Sequence, residues 1–280
     1  MAEEFNPIEL KKLYRPDKDA AEHLGQVTIV GGSRLFHGAP ILSLKVASRI
    51  VGMVFFSSPE ASVGKVAEEI KSKLSSFIWM PFEEIEEYLT KSDAILIGPG
   101  LMRFRSEKVP HGERSHVCDE ACQETREITQ RLLTKFPEKR WVIDAGSLQV
   151  LDTSWIPQGA ILTPNKEEYE ILFGEEKPEK AAKKYKCHLI LKGPVDIVCS
   201  PERSVEIKGG NIGMAKGGTG DVLAGLTVAL YAKNDALLSA CAASYITKAS
   251  GDELYRRAGV NFNADDLAEI VPQVIKNLPG

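Results

Sequence analysis

Short runs of β-branched and aliphatic residues alternate with longer amphipathic runs along this chain, and few fold classes accept that pattern. Strands are expected at 27–30, 54–56, 93–97, 141–144 and 160–163, with helices at 40–51 and 59–74. A hairpin-like pair at 189–192 and 197–200 and a strand at 204–207 follow; the remaining residues read as helices at 219–232, 236–258 and 264–278. Alternation of this kind builds a sheet with helices on both faces. A length of 280 residues allows one large α/β domain or two small ones. No linker, repeat or low-complexity segment interrupts the pattern, so 1–280 is expected to be a single domain.

Several strands end at glycines or an acid: Val30 before Gly31 and Gly32, Ile97 before Gly98, Pro99 and Gly100, and Ile143 before Asp144. Ligands of open α/β sheets bind beyond the carboxyl ends of strands, so these turns should gather on one edge. The polar segment from Gly100 to Val117 reads either as a lid over that edge or as a plain surface loop. Asp144, with Ser147, either orients a metal-bound water or caps its own turn.

The run AKGGTGDVLAG, from Ala215 to Gly225, carries the chemistry. Gly217, Gly218 and Gly220 let the backbone take positive φ and approach a ligand, and the apolar run from Val222 begins a helix. Unpaired amides and the dipole at that helix start favour a phosphoryl group. Asp221 beside a bound phosphate is unfavourable unless it removes a proton from an attacking hydroxyl. The competing reading is an ordinary glycine loop with Asp221 as helix N-cap. The chain contains no G-x-x-x-x-G-K-[ST], no G-x-G-x-x-G after a strand and no G-x-S-x-G, which argues against a Walker loop, a dinucleotide fingerprint and a hydrolase elbow.

A formal net charge of −4 offers no general attraction to nucleic acid or anionic membrane, so phosphate binding must be local. No apolar run approaches the ~20 residues of a membrane span, and the polar, acidic N-terminus is unlike a secretory signal; a cytoplasmic location is expected. The five cysteines are expected to be reduced, with Cys187, Cys199 and Cys241 in apolar segments. His111, His116, Cys118 and Cys122 could hold zinc, although Cys118 and Cys122 also share one face of a helix starting near Asp119.

GNIGMAKGGTGDVLAG (210–225) resembles the signature of the ribokinase-like superfamily, in particular of the ADP- or ATP-dependent NAD(P)H-hydrate dehydratases. VGGSRLFHGAP (30–40), IGPGL (97–101), VIDAGSL (142–148), ILTPNKEEYEILFG (161–174) and LILKGPVDIV (189–198) agree in order and spacing. The resemblance covers the chain from about Asp19 to Ile275. It implies an α/β three-layer sandwich with a mostly parallel central sheet and helices on both faces. It also implies repair of hydrated NADH or NADPH, in which the S-epimer loses water driven by ADP or ATP, with Mg²⁺ on the phosphates. By that resemblance Asp221 takes the hydroxyl proton, while the amides of Gly218, Thr219 and Gly220 stabilise the transferred phosphoryl.

Ala39, Gly98, Asn165 and Asp221 match substrate-contacting positions, and Lys192, Gly193, Pro194, Val195, Asp196 and Gly220 match the segments that contact the nucleotide. Asn165 stands where many members have His, with Lys166 and Glu167 replacing Pro and Gly and Glu168 keeping its acid. Pro164 and Asn165 could equally just start the helix at 166–173, and Lys192 could be a strand-end charge. The resemblance further implies a homotetramer and a separate epimerase in the same pathway. The alternatives are a kinase of a small alcohol, such as a thiazole or hydroxymethylpyrimidine, and an inactive nucleotide sensor.

Overall fold

The structure is a computed structural model that describes residues 2–16, 24–103 and 120–278. Along the chain, β1 (Glu3–Glu4), β2 (Gln26–Val30), α1 (Gly38–Ala47), β3 (Met53–Ser57), α2 (Ala61–Ile70), β4 (Ile78–Trp79), α3 (Ile85–Lys91) and β5 (Ala94–Ile97) form the first half. After them come α4 (Glu120–Lys135), β6 (Arg140–Ile143), α5 (Ala145–Val150), β7 (Ile161–Leu162), α6 (Lys166–Phe173), α7 (Pro178–Tyr185), β8 (His188–Leu191), β9 (Asp196–Cys199) and β10 (Ser204–Ile207). Three helices end the chain: α8 (Thr219–Tyr231), α9 (Ala236–Ala258) and α10 (Ala264–Lys276).

The strands form one sheet in the order β1-β10-β9-β8-β7-β6-β5-β2-β3-β4. All pairings are parallel except those of β9, which runs against both β8 and β10, so the expected hairpin is present. Residues alternate between the two faces, as the period of a strand requires. Leu96 and Val142 enter a core shared with α1, α8, α9 and α10, whereas Ile95, Ile97, Trp141 and Ile143 enter a second core with α3 to α7. The three-layer α/β expectation is met. Helix α8 is buried from Val222 to Tyr231, which suits its almost wholly apolar sequence.

Chain order reverses at β2. It pairs with β3 on one side and with β5 on the other, so the chain leaves in one direction and returns to build in the opposite one. A crevice opens at such a reversal, and the glycine turns that follow β2 and β5 meet across it: Gly32 N donates to Pro99 O at 2.8 Å.

Candidate functional site

At the start of α8 the backbone turns on Gly218, whose φ is +95°. A Cβ there would lie 2.5 Å from Leu42 Cδ1 and 2.8 Å from Ala264 Cβ, so the position accepts only glycine. The expectation of positive φ at three glycines is corrected to one. Gly220 is helical, and its missing side chain instead makes room for Lys192, whose Nζ would be 3.3 Å from a Cβ. The first bond closing the turn runs from Val222 N to Gly218 O, so the Thr219 and Gly220 amides precede the intrahelical ladder. Thr219 Oγ1 donates to Met214 O at 2.9 Å and to Lys216 O at 3.0 Å, bracing the loop.

Asp221 sits in the first turn of α8, two residues past Thr219, so it is not the N-cap; Gly218 is. Ser43 Oγ of α1 donates to the Asp221 carbonyl at 2.7 Å and fixes the turn against the neighbouring helix. Burial pushes the Asp221 carboxyl up to about 7; the Asp144 and Glu168 carboxylates add to the rise and Lys192 opposes it. An acid of this kind changes protonation state near neutrality, as a general base must.

Asp144 ends β6 and is 1% exposed. Its carboxylate makes no cap bond, which removes the reading of Asp144 as a local cap. It accepts from Thr163 Oγ1 at 2.7 Å and pairs with Lys192 Nζ at 3.1 Å. The next residue, Ala145, has φ +47°, a left-handed conformation that costs about 1 kcal/mol or more in a residue other than glycine. Lys192 also lies 3.9 Å from Glu168 Oε2. Burial works against the ammonium, but Asp144 and Glu168 outweigh it and hold the Lys192 pKa above its usual value. Glu168 is pushed up by burial, with Lys192 opposing. Lys192, the residue that follows β8, therefore also belongs to the charge cluster around Asp221.

A cavity of about 520 Å³ adjoins this cluster. Lys192, Gly193, Pro194, Asp196, Thr219 and Gly220 line it, which brings the two predicted nucleotide segments together. Val195 is 39% exposed and is absent from that lining. Gly193 N donates to Asp196 Oδ1 at 2.9 Å and closes the turn between β8 and β9. Sequence reasoning missed the opposite wall, where Gly209, Asn211, Ile212, Ser244, Thr247 and Lys248 stand. Ser244, Lys248 and Asp252 recur every four positions and so share one face of α9, and that spacing was the available signal.

The predicted substrate residues lie along the same edge. Ala39 is half-buried in the first turn of α1, one turn before Ser43. Gly98 has φ +120°, and a Cβ there would sit 1.8 Å from Asp144 O. The close approach that demands glycine at 98 is to the Asp144 backbone. Asn165 is the N-cap of α6: its Oδ1 accepts from Glu168 N, and Glu168 Oε2 accepts from Asn165 N, both at 2.9 Å. The helix-start reading is therefore correct, and only the Asn165 side-chain NH₂ is left to donate elsewhere.

His111, His116 and Cys118, and most of the 100–117 segment, lie outside the described residues. Cys187, Cys199 and Cys241 are free and buried, as expected. Cys122 is disulfide-bonded, which corrects the expectation of reduced thiols throughout. Among the described residues no group of three or more His, Cys, Asp or Glu is arranged to hold a metal ion.

The NAD(P)H-hydrate dehydratase family model matches residues 27–273. The chain is 32% identical over 278 residues to a bifunctional NAD(P)H-hydrate repair enzyme of Archaeoglobus fulgidus, covering 94% of this chain and 53% of that protein. It thus spans about half the length of the bifunctional relatives. It is also 30% identical over 270 residues to an ADP-dependent (S)-NAD(P)H-hydrate dehydratase of Cenarchaeum symbiosum, covering 90% of this chain and 88% of the relative. Among solved structures, a ribokinase-like protein of Enterococcus faecalis superposes with a TM-score of 0.81 at 20% identity, covering 99% and 96% of the two chains. The ADP/ATP-dependent NAD(P)H-hydrate dehydratase of Bacillus subtilis, co-crystallised with ATP/Mg²⁺ and soaked with CoA, superposes with a TM-score of 0.77 at 20% identity, covering 99% of both chains. The fold is ribokinase-like, and the chain belongs to the NAD(P)H-hydrate dehydratase family.

Proposed function

We propose that this chain dehydrates the S-epimer of hydrated NADH or NADPH, using ADP or ATP as phosphoryl donor and releasing AMP or ADP together with phosphate. The observation that carries the reading is Asp221: a buried carboxyl poised at about 7, at the mouth of a helix start, beside a 520 Å³ cavity. The donor occupies that cavity with its terminal phosphate on the amides of Gly218, Thr219 and Gly220. Asp221 accepts the proton of the ring hydroxyl as its oxygen attacks the terminal phosphorus and the bridging P–O bond breaks. Hydroxide is a poor leaving group, whereas the phosphorylated hydroxyl departs readily as inorganic phosphate, and loss of a proton from the neighbouring ring carbon to solvent then restores the ring double bond. Each amide aimed at the developing charge contributes on the order of 3 kcal/mol.

Asp144 and Glu168 are the residues that would hold Mg²⁺. Their two carboxylates are a hard oxygen donor set that leaves the rest of the shell to phosphates and water, which is how this ion binds. When bound it neutralises charge on the transferred phosphoryl. Lys192 holds both carboxylates in place. Asn165 donates to the hydrated substrate, near Ala39 and Gly98. A single domain over 1–280 and a cytoplasmic location complete the reading and rest on the sequence pattern, and a homotetramer and a separate epimerase rest on the family resemblance. Within the described residues no helix is long and apolar enough to cross a membrane.

The test is recovery of the reduced-nicotinamide absorbance from hydrated NADH or NADPH with ADP or ATP and Mg²⁺, with phosphate measured in parallel. Recovery that needs the nucleotide and releases phosphate is expected. A stable phosphate ester on a small alcohol instead would make the protein a kinase, and binding without turnover would make it a sensor.

A further inference from the structure

The wall of the cavity opposite the phosphate turn is held by one buried cation. Lys248 lies in the middle of α9 and its side chain is only 7% exposed. Its ammonium donates to Gly193 O at 3.0 Å, Pro194 O at 3.1 Å and Gly209 O at 3.3 Å, and it stands 3.3 Å from Asp196 Oδ1. Two of these carbonyls belong to the turn between β8 and β9. The third belongs to the loop between β10 and the phosphate turn. A charged donor buried among four oxygens binds far more strongly than a neutral one, because low dielectric strengthens each contact and water cannot replace it.

Neighbouring residues on the same face of α9 extend the tie. Ser244 Oγ donates to Asp196 Oδ2 at 2.6 Å, one turn before Lys248. One turn after it, Asp252 accepts from Gly210 N at 2.9 Å and from Asn211 Nδ2 at 3.0 Å. Gly209 and Gly210 have φ of +104° and +77°, and a Cβ on Gly210 would lie 3.3 Å from Lys248 Cγ. The loop therefore folds flat over the lysine stem. Each of the three side chains fixes a different part of the cavity rim, but only Lys248 joins the two loops to each other.

We infer that Lys248 is a positioning residue for the nucleotide: its ammonium sets the separation of the 193–196 turn and the 209–212 loop, and so the width of the cavity between them. This rests on the reading of that cavity as the nucleotide site. Lys248 acts through the loops and leaves the proton transfer at Asp221 untouched. Its loss should raise the KM for the nucleotide and leave kcat at saturating nucleotide nearly unchanged.

The experiment compares wild type, Lys248→Ala and Lys248→Arg, each checked for folding by thermal melt. ADP and ATP affinities are measured calorimetrically, and KM and kcat for both substrates kinetically. Lys248→Ala should weaken nucleotide binding about tenfold or more, the scale of lost charge-assisted hydrogen bonds, with the hydrate KM within about twofold of wild type. Added ethylammonium, which refills the four-oxygen cage, should restore affinity to this variant and leave wild type unaffected. Lys248→Arg keeps the charge, but a planar guanidinium cannot serve acceptors on two loops in the same way, so it should bind nucleotide several-fold more weakly. It supplies the readout where the alanine variant does not fold. Unchanged nucleotide affinity in a folded variant, an equal loss for both substrates, or a loss that ethylammonium fails to reverse would overturn the inference. Wild-type protein that binds neither ADP nor ATP would instead overturn the reading of the cavity, and this inference with it.

Discussion

Asp221→Asn separates stability from activity at one atom. The carboxyl has its pKa at about 7 in the folded chain, against an ordinary 3.8. Between those values the folded chain keeps a proton that the unfolded chain gives up, so stability falls as pH rises through the window and is fully lost only above about 7. From pH 5 to pH 7 that is two pK units, or roughly 2–3 kcal/mol at about 1.4 kcal/mol per unit. The amide keeps the shape of the side chain and cannot ionise, so the variant lacks this slope. Thermal melts of nucleotide-free protein at pH 5 and pH 8 should show the variant gaining on wild type by roughly 5–10 °C between the two, given the usual scaling for chains of this size. The same variant should lose about 10²–10⁴ of kcat while its ADP affinity is largely kept. Equal stability changes at both pH values would refute the burial argument for Asp221, and turnover near the wild-type rate would refute its role as base.

Wild-type kcat/KM should fall as pH drops below about 7, because protonated Asp221 cannot accept the hydroxyl proton; a profile flat from pH 5 to 8 would count against it. Lys192→Met leaves the Asp144 carboxylate buried without its cation, which should destabilise the chain by about 3–5 kcal/mol in urea titration. It should also move the acidic limb of the pH profile upward, since Lys192 lowers the Asp221 pKa. Gly98→Ala puts a methyl 1.8 Å from Asp144 O at a φ of +120°, and should cost more than about 3 kcal/mol or prevent folding; a variant within 1 kcal/mol of wild type, by the same titration, would contradict the packing. Asn165→Ala should lose about 1 kcal/mol of stability with the cap and raise the KM for hydrate more than that for ADP.

The fold was legible because short apolar strands alternate with longer helical runs, and the four apolar residues of β5 and the long apolar run of α8 fall where that alternation places them. The two-residue strands β1 and β4 were missed, since two residues carry no period at all. In the site, the glycine turn and Asp221 are contiguous in sequence and could be read together. The pairing of Lys192 with Asp144 spans 48 positions, and no local pattern tells which carboxylate a strand-end lysine meets. Gly98 was recognised as special for a different reason than the structural one, because a sequence shows that a side chain is missing but not what presses against the gap. Lys248 went unread for a related reason: its spacing from Ser244 and Asp252 shows a shared face of α9, but not the loops that cover that face.

The charges at the crevice do not balance, and that imbalance bears on the proposed reaction. One ammonium, Lys192, stands among three carboxylates: Asp144, Glu168 and Asp221. The surplus of negative charge helps to keep Asp221 basic enough to take a proton near neutrality. A terminal phosphate arriving on the Gly218 to Gly220 turn adds further negative charge, which the start of helix α8 offsets only in part, at about half an elementary charge. Left alone, that addition would raise the Asp221 pKa again and hold the base protonated at the moment it must act. On the proposed reading, a donor that arrived with a divalent cation would remove this conflict, because the cation would offset the added phosphate charge beside Asp144 and Glu168.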